Sequence, residues 1–402
     1  MTARGSCGLV MALATALLIL APARADDKAA VPTVKIGYLG LAQKRLPPQP
    51  FLDAPPEDEG LQGARLGIAD DNTTGRFTNQ HFELQDIEVP EEGDVAAAFR
   101  KLAGGGIRLV VTDLPAPDLL AVAGLPEAAK VTLFNAGAAD DALRAAQCRA
   151  NVLHTLPSRA MLADALLQYL LEKQWRRVLL VVGPTKADQA YADAIQRSIQ
   201  KFQAELVARK PWTYQPGARR SDTGHYSIQA EVARFTQGYS YDVLIVADEE
   251  DAFGDYLSYR TYEPRPVAGT QGLVPTAWAR PHQEWGATQL QNRFLRQAKR
   301  WMTDRDYAAW MAVRAVGEAA TRTQSTDPDK LVAYIRSDKF ELGAFKGARL
   351  SFRSWDGQLR QPILLVDARS LVSVSPQPGF LHQVSELDTL GIDRPETKCR
   401  FK

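Results

Sequence analysis

An α/β fold of two doubly wound lobes around a ligand cleft is predicted by three features of the 402-residue sequence. Short, largely apolar β-rich runs alternate with helical stretches, the pattern of a parallel sheet covered on both faces. The alternation stops near residue 150 and restarts, which gives two blocks of domain size. Late elements then follow the second block and return to the earlier one, so the chain crosses between lobes more than once. Sheets of this kind bind ligands beyond the carboxyl ends of their strands, and two facing sets of strand ends define the cleft.

The first 25 residues, MTARGSCGLVMALATALLILAPARA, have a basic start at Arg4, an apolar run from Leu9 to Ala21 and a small-residue ending at Ala23-Arg24-Ala25. They read as a secretory signal peptide cleaved after Ala25. The apolar run is shorter than a bilayer span. Cys7 precedes that run and so is not placed for lipidation. Cleavage removes Arg4 and Arg24 and no acid, so the formal charge moves from +1 to −1. A near-neutral chain carries no electrostatic footprint for nucleic acid or anionic lipid.

In the first block VKIGYLG (34–40) is a strand and AQKRLPPQPFLDAPPEDEG (42–60) a Pro-rich loop, long enough to imply a role of its own. GLQGARLGIADDNTTG has helical spacing, HFELQDIEV (81–89) is a strand, and EEGDVAAAFRKLAGGG (91–106) is a helix stopped by glycines. IRLVVTDL (107–114), the short helix APDLLAVAGLP and VTLFNAG (131–137) complete the block.

The second block opens with NVLHTLPS (151–158), extended, and a helix over 159–174 with Ser158 as its N-cap. Strands at 176–183, 204–212 and 241–248 alternate with helices at 188–202 and 227–238. An extended stretch (267–278) and helices at 288–301, 306–323 and 327–337 follow. Residues 348–375 read as one β-hairpin turning at Trp355-Asp356-Gly357.

Catalytic and cofactor signatures are missing from the pattern. His81, His154, His225, His282 and His382 are scattered, without metal-ligand spacing. His154 lies in an apolar strand and reads as a hydrogen-bonded core histidine. Gly104-Gly105-Gly106 precedes a strand and lacks the lysine of a phosphate loop, so it stops a helix. The acidic run ADEEDAFGD (247–255) places Asp248, Glu249, Glu250 and Asp251 at a strand end, either at the cleft mouth or in a first helical turn favoured by the dipole. No cofactor is expected, and the reading is non-catalytic.

Two cysteines remain after cleavage, Cys148 and Cys399. In an oxidising compartment an even, widely separated pair reads as a disulfide that staples the tail to the body. The alternatives are two free buried thiols or, with less support, metal binding.

At VKIGYLG, GARLGIADDN and FNAGAADDALR, with the two-block order, the chain resembles periplasmic substrate-binding proteins of the branched-chain amino acid type, the type I fold. The resemblance spans the whole mature chain. TQGLVPTAWARPHQEWGATQLQNRF, DYAAWMAVRAVGEAATRT and SPQPGFLHQVSELDTLGIDRPETKC resemble one subfamily, the binding proteins of ABC transporters associated with PQQ-dependent alcohol dehydrogenase systems. The resemblance implies three interlobe crossovers. It assigns 32–152 with 279–340 to the N-terminal lobe, 153–278 with 345–375 to the C-terminal lobe, and 376–402 to a tail tethered to the N-lobe near Cys148.

It also implies where a ligand sits. The candidate contacts are Thr112, Asp113, Asn135 and Ala136 on the N-lobe, Thr185, Lys186, Gln189, Tyr191, Asp248 and Glu249 on the C-lobe, and Trp278 at a crossover. The serine and threonine pattern of an amino acid binder is largely lost at TDLPAP (112–117) and NAGAADD (135–141). Lys44, Arg45, Lys186 and Arg280 would suit an anionic quinone such as PQQ. Asp113, Asp140, Asp248 and Glu249 would suit calcium or a lanthanide. Trp278, Trp285 and Tyr191 could stack on a ring.

The expectation is a periplasmic, monomeric solute-binding protein serving a permease and ATPase, with no nucleic acid partner and no membrane insertion. Its ligand would be PQQ, a metal species or an alcohol-derived acid. The competing readings are a sensor or cofactor holder acting through partner proteins, and an enzyme built on the same fold.

Overall fold

Period-two alternation in the first strand sends Val34 and Ile36 to one face of a sheet and Leu39 to the other, and both faces are buried. The computed structural model describes Thr2 and residues 31–44, 54–213 and 231–401. Most of the signal segment, Arg45, His225 and the start of the helix expected at 227–238 lie outside these residues.

The N-lobe sheet has the order β2-β1-β3-β4-β5, all parallel. Its strands are β1 (Thr33–Leu41), β2 (His81–Val89), β3 (Leu109–Asp113), β4 (Thr132–Asn135) and β5 (Val152–His154). The helices between them are α1 (Leu61–Thr78), α2 (Val95–Gly104) and α3 (Ala116–Ala123). α2 starts later than the sequence pattern implies, because the Asp94 side chain caps it by accepting from the Ala97 N–H.

The C-lobe sheet has the order β7-β6-β8-β9, again parallel. It is built from β6 (Arg177–Val182), β7 (Glu205–Pro211), β8 (Val243–Ala247) and β9 (Val267–Gly269), with α4 (Arg159–Glu172) and α5 (Lys186–Lys201). Ser158 caps α4 as its position implies, by accepting from Met161 N–H. Leu180 and Ile245 pack with α4 and α5 on one face, while Leu179 and Val246 pack with Trp212 and Phe253 on the other. The stretch expected to be extended over 267–278 is two short strands, β9 and β10 (Val274–Thr276), separated by a turn.

The chain then returns to the N-lobe with α6 (Ala287–Ala298), α7 (Asp304–Thr323) and α8 (Pro328–Ile335). α7 packs directly on α1, and glycines allow the approach: a Cβ at Gly63 would sit 1.8 Å from the Asp306 carbonyl oxygen, and one at Gly67 2.7 Å from Val313. No helix among the described residues is long and apolar enough to cross a membrane.

The hairpin expected over 348–375 is two hairpins. β11 (Leu342–Gly343), β12 (Arg349–Phe352) and β13 (Leu359–Arg360) pair antiparallel, as do β14 (Ile363–Val366) and β15 (Leu371–Ser375) with β10. Leu350, Phe352 and Leu359 join the N-lobe core, whereas Ile363 and Leu365 join that of the C-lobe. The change from one core to the other therefore falls at Gln361-Pro362. Proline has no N–H for a sheet ladder, so it fits the gap between the two pairings.

Gln361 Nε2 donates to the Thr155 carbonyl at 2.8 Å, and Gln358 Nε2 donates to the His154 and Leu156 carbonyls at 3.2 and 3.1 Å. Arg144 donates to Gln358 Oε1 at 2.8 Å and to the Leu156 carbonyl at 2.9 Å. These bonds knit the first and third crossings together. The tail first follows the C-lobe: Gln377 N–H donates to Gln168, Gly391 N–H to Asp164, and Lys201 to the Thr389 and Gly391 carbonyls. It ends at the N-lobe, where Cys399 is disulfide-bonded to Cys148.

Candidate functional site

The register of the N-lobe sheet brings four strand ends level, with Gly40 opposite Asp113, Thr112 opposite Asn135, and Asn135 opposite His154. A cavity of about 660 Å³ opens there, between the β1 and β2 ends and the described part of the Pro-rich loop. Tyr38, Glu57, Glu59, Glu88, Asp113 and Arg305 give it its polar lining.

Gly60 holds the loop in place. Its φ of +79° suits glycine, and a Cβ there would meet Tyr38 Oη at 2.8 Å and Asp113 Oδ2 at 2.9 Å. Arg300 ties the same loop to α7 through Asp58 at 2.8 Å and Asp306 at 2.6 Å. Arg305 lies 3.3 Å from Asp113. The Asp113 charge raises the Arg305 pKa against its burial, with Glu59 and Asp304 adding to the effect. Burial, then Asp113, keeps the Tyr38 phenol protonated, and its hydroxyl donates to the Glu59 carbonyl at 3.2 Å. Four carboxylates face one guanidinium in this lining, so the N-lobe wall is negatively charged.

The C-lobe wall is organised by Asp188. As the third residue of α5 it completes a capping box with Thr185, and its other oxygen accepts from the Glu249 N–H at 2.8 Å. The ends of β6 and β8 are thereby tied to one helix. The Asp248 carboxylate accepts from the Ala252, Phe253 and Gly254 N–H groups and so shapes the loop after β8. Burial raises its pKa against those three donors.

Arg159 joins the two walls. It is the first residue of α4 and donates to Glu249 from Nε and Nη2 at 2.7 and 2.6 Å. Its Nη1 lies 3.3 Å from Asp140, which follows β4 of the N-lobe. Burial opposes the Arg159 charge, but the hydrogen bonds to Glu249 and the neighbouring acids outweigh it and raise the pKa. The Arg159 N–H donates to the Ala139 carbonyl, and the Ala160 N–H to Asp141. The carboxyl ends of both sheets therefore meet at one arginine.

No family model and no curated protein matches the chain. Solved structures do. A periplasmic binding protein from Burkholderia mallei superposes with a TM-score of 0.62 at 17% identity, covering 91% of this chain and 98% of that one. A branched-chain amino acid ABC transporter periplasmic ligand-binding protein from Burkholderia xenovorans gives 0.65 at 17% identity, over 84% and 90%. An ABC transporter substrate-binding protein from Desulfitobacterium hafniense, solved with leucine, gives 0.63 at 15% identity, over 84% and 98%. The fold is that of the type I periplasmic binding proteins.

Within this type I fold the residues singled out from the sequence fall into separate groups. Thr112, Asp113, Asn135 and Ala136 share the N-lobe strand ends and are all buried. Thr112 Oγ1 donates to the Phe134 carbonyl. Asn135 accepts from the Gly137 and Ala138 N–H groups and donates to the Ala138 carbonyl and to His154 Nδ1. His154 is a core histidine, kept neutral by burial and then by Arg144. Thr185, Tyr191, Asp248 and Glu249 gather at the C-lobe ends. Lys186 is exposed at the start of α5, and Gln189 bonds the Gly183 carbonyl and Arg209.

Trp278 sits apart, buried in the N-lobe core and stacked on Tyr307 with centroids 4.4 Å apart. Arg280 lies over Trp301, Trp285 is half-exposed, and Lys44 is exposed. Among the described residues no three His, Cys, Asp or Glu side chains are gathered closely enough to hold a metal ion.

Sequence reading missed Arg159. One signal was available: a cation in the first turn of a helix opposes the dipole, so another partner has to hold it there. Asp188 was also missed, although Thr185-x-x-Asp188 has capping-box spacing.

Proposed function

We propose that this chain is a non-catalytic periplasmic solute-binding protein. Its two lobes close on a small solute, and the closed form is presented to the permease and ATPase of an ABC transporter. The observation that carries this reading is the Arg159 junction with Asp140 and Glu249, because it places the carboxyl ends of two parallel sheets against each other across hydrogen-bonded crossings. Solute contacts available only when both walls meet would shift the hinge equilibrium toward closure. The fold shared with transporter-binding proteins supports the same reading, as do the signal-like leader and the modest net charge.

The sequence segments resembling binding proteins of PQQ-dependent alcohol dehydrogenase systems support a place in alcohol oxidation. Leucine is bound by the D. hafniense protein. In this chain the Thr112 and Asn135 side chains are committed to internal bonds, which supports a solute other than an amino acid.

Solution scattering tests the closure. When the solute released from the protein by unfolding is added back to the refolded chain, the radius of gyration is expected to fall. An unchanged profile at saturating solute would contradict a closing binding protein.

A further inference from the structure

The chain passes between the two cores at three places. Leu156 belongs to the N-lobe core and Met161 to that of the C-lobe. Thr276 pairs with β14 of the C-lobe, while Ala277 and Trp278 are buried in the N-lobe. The third change is at Gln361-Pro362. One buried side chain is linked to all three. Lys346, between β11 and β12, is 1% exposed, and its Nζ donates to Gln361 Oε1 and to the Pro362 carbonyl, at 2.8 Å each. Gln361 carries the link to the first crossing, because its Nε2 donates to the Thr155 carbonyl at 2.8 Å. The ammonium also lies 4.9 Å from the centroid of the Tyr307 ring, which stacks on Trp278 at the second crossing. Tyr307 is itself fixed, its hydroxyl donating to the Ala344 carbonyl at 2.6 Å.

Packing does not explain a lysine at this position. Among the described residues Lys346 forms no ion pair, and its bonds go to neutral oxygens. Burial pushes its pKa well below the usual lysine range, and Asp304 offsets only part of that. A buried charge without a counter-ion costs stability, which an apolar side chain of similar length would avoid. The ammonium adds what an apolar group lacks, two directional bonds to the segment where the chain changes lobe. Arg144 gives the contrast. It is equally buried and bonds Gln358, but Gln358 precedes that change, next to Leu359 of the N-lobe core. Hinge motion turns one lobe about these three crossings, so it displaces Gln361 and Pro362 relative to the lobe that carries Lys346.

We propose that Lys346 is the latch of the hinge: its bonds to Gln361 and Pro362 hold the three crossings in the arrangement seen here, and a change of interlobe angle has to break at least one of them. This rests on the solute-binding reading and adds to it a positioning residue that sets the balance between lobe arrangements.

The test reads the interlobe distance in the protein with its disulfide intact. Spin labels at Lys101→Cys on α2 and Gln200→Cys on α5, both exposed, report that distance by pulsed electron paramagnetic resonance. Lys346→Met is expected to raise the population at other distances, relative to the main one, by at least about tenfold, the worth of one hydrogen bond to a charged group. Gln361→Met cuts the link to the first crossing from the other side and is expected to act in the same direction. A lower melting temperature with an unchanged distance distribution in both variants would make Lys346 an ordinary structural group and overturn the proposal. A shift in the Gln361 variant without one in Lys346→Met would overturn the role of the ammonium. Adding back the small-molecule fraction released from unfolded protein separates this proposal from the reading it rests on. If the wild-type distance shifts while both variants match the wild type throughout, the latch fails and the solute-binding reading stands. If the wild-type distance does not shift, the closing reading itself fails.

Discussion

Replacing Cys148 and Cys399 by serine is expected to lower stability by up to about 5 kcal/mol, the loop entropy of a cross-link spanning roughly 250 residues. Both cysteines are buried, at 1% and 5% exposure, and their Cα atoms are 5.6 Å apart. The bond closes the C-lobe, the returning N-lobe helices and the tail into one loop, so its removal enlarges the unfolded ensemble more than the loss of a local cross-link would.

The tail has other anchors. Asp388 is buried between Arg353 and Arg360 at 2.8 Å from each, and Gly391 is held by Asp164. The tail should therefore stay docked on the C-lobe in the serine variant, and the loss should appear in the urea midpoint before it appears as proteolysis near residue 380. An unchanged midpoint would show that the bond does not constrain the unfolded chain.

Arg159→Met is expected to cost about 3 kcal/mol, because it leaves Glu249 and Asp140 facing each other at the lobe junction without their cation. Arg159→Lys should recover only part of this, since an ammonium cannot reproduce the two parallel bonds to Glu249. The pairing can be isolated by a cycle. Glu249→Gln in the Arg159→Met background should cost less than Glu249→Gln alone, as residues sharing one network are not additive. Denaturant midpoints of the four proteins measure it. Additive losses would mean that Arg159 does not act through Glu249.

Much of the fold was legible because its signals are local. β2 was read at its observed boundaries, 81–89, since apolar and polar residues change sharply there. The α4 cap at Ser158 was legible because one hydroxyl three residues before a free N–H suffices. The start of α2 was read too early, because only Asp94 reaches the Ala97 N–H and the acids before it look equally helical. The double hairpin was hidden for a different reason. Gln358 and Gln361 look like surface residues in sequence, yet they bond carbonyls some 200 residues away in the first crossing.

The candidate site divides the same way. Strand ends could be located from the apolar runs, which brought Thr112, Asn135 and Glu249 into view. What those side chains bond could not be read, because Asn135 turns inward to its own loop and Glu249 is taken by a residue 90 positions earlier. Asp248 and Glu249 are adjacent, yet one shapes a loop and the other joins a lobe junction. Nothing in the order of residues separates those roles.

Native mass spectrometry of the protein isolated from its host without chelators, compared with a denatured sample, tests the central claim most directly. The account predicts a non-covalent mass excess of one small solute that disappears on denaturation, on a chain two hydrogens lighter than its reduced form. A protein that carries no solute as isolated, and acquires none from an extract of its host, would contradict the claim that its cleft carries a solute.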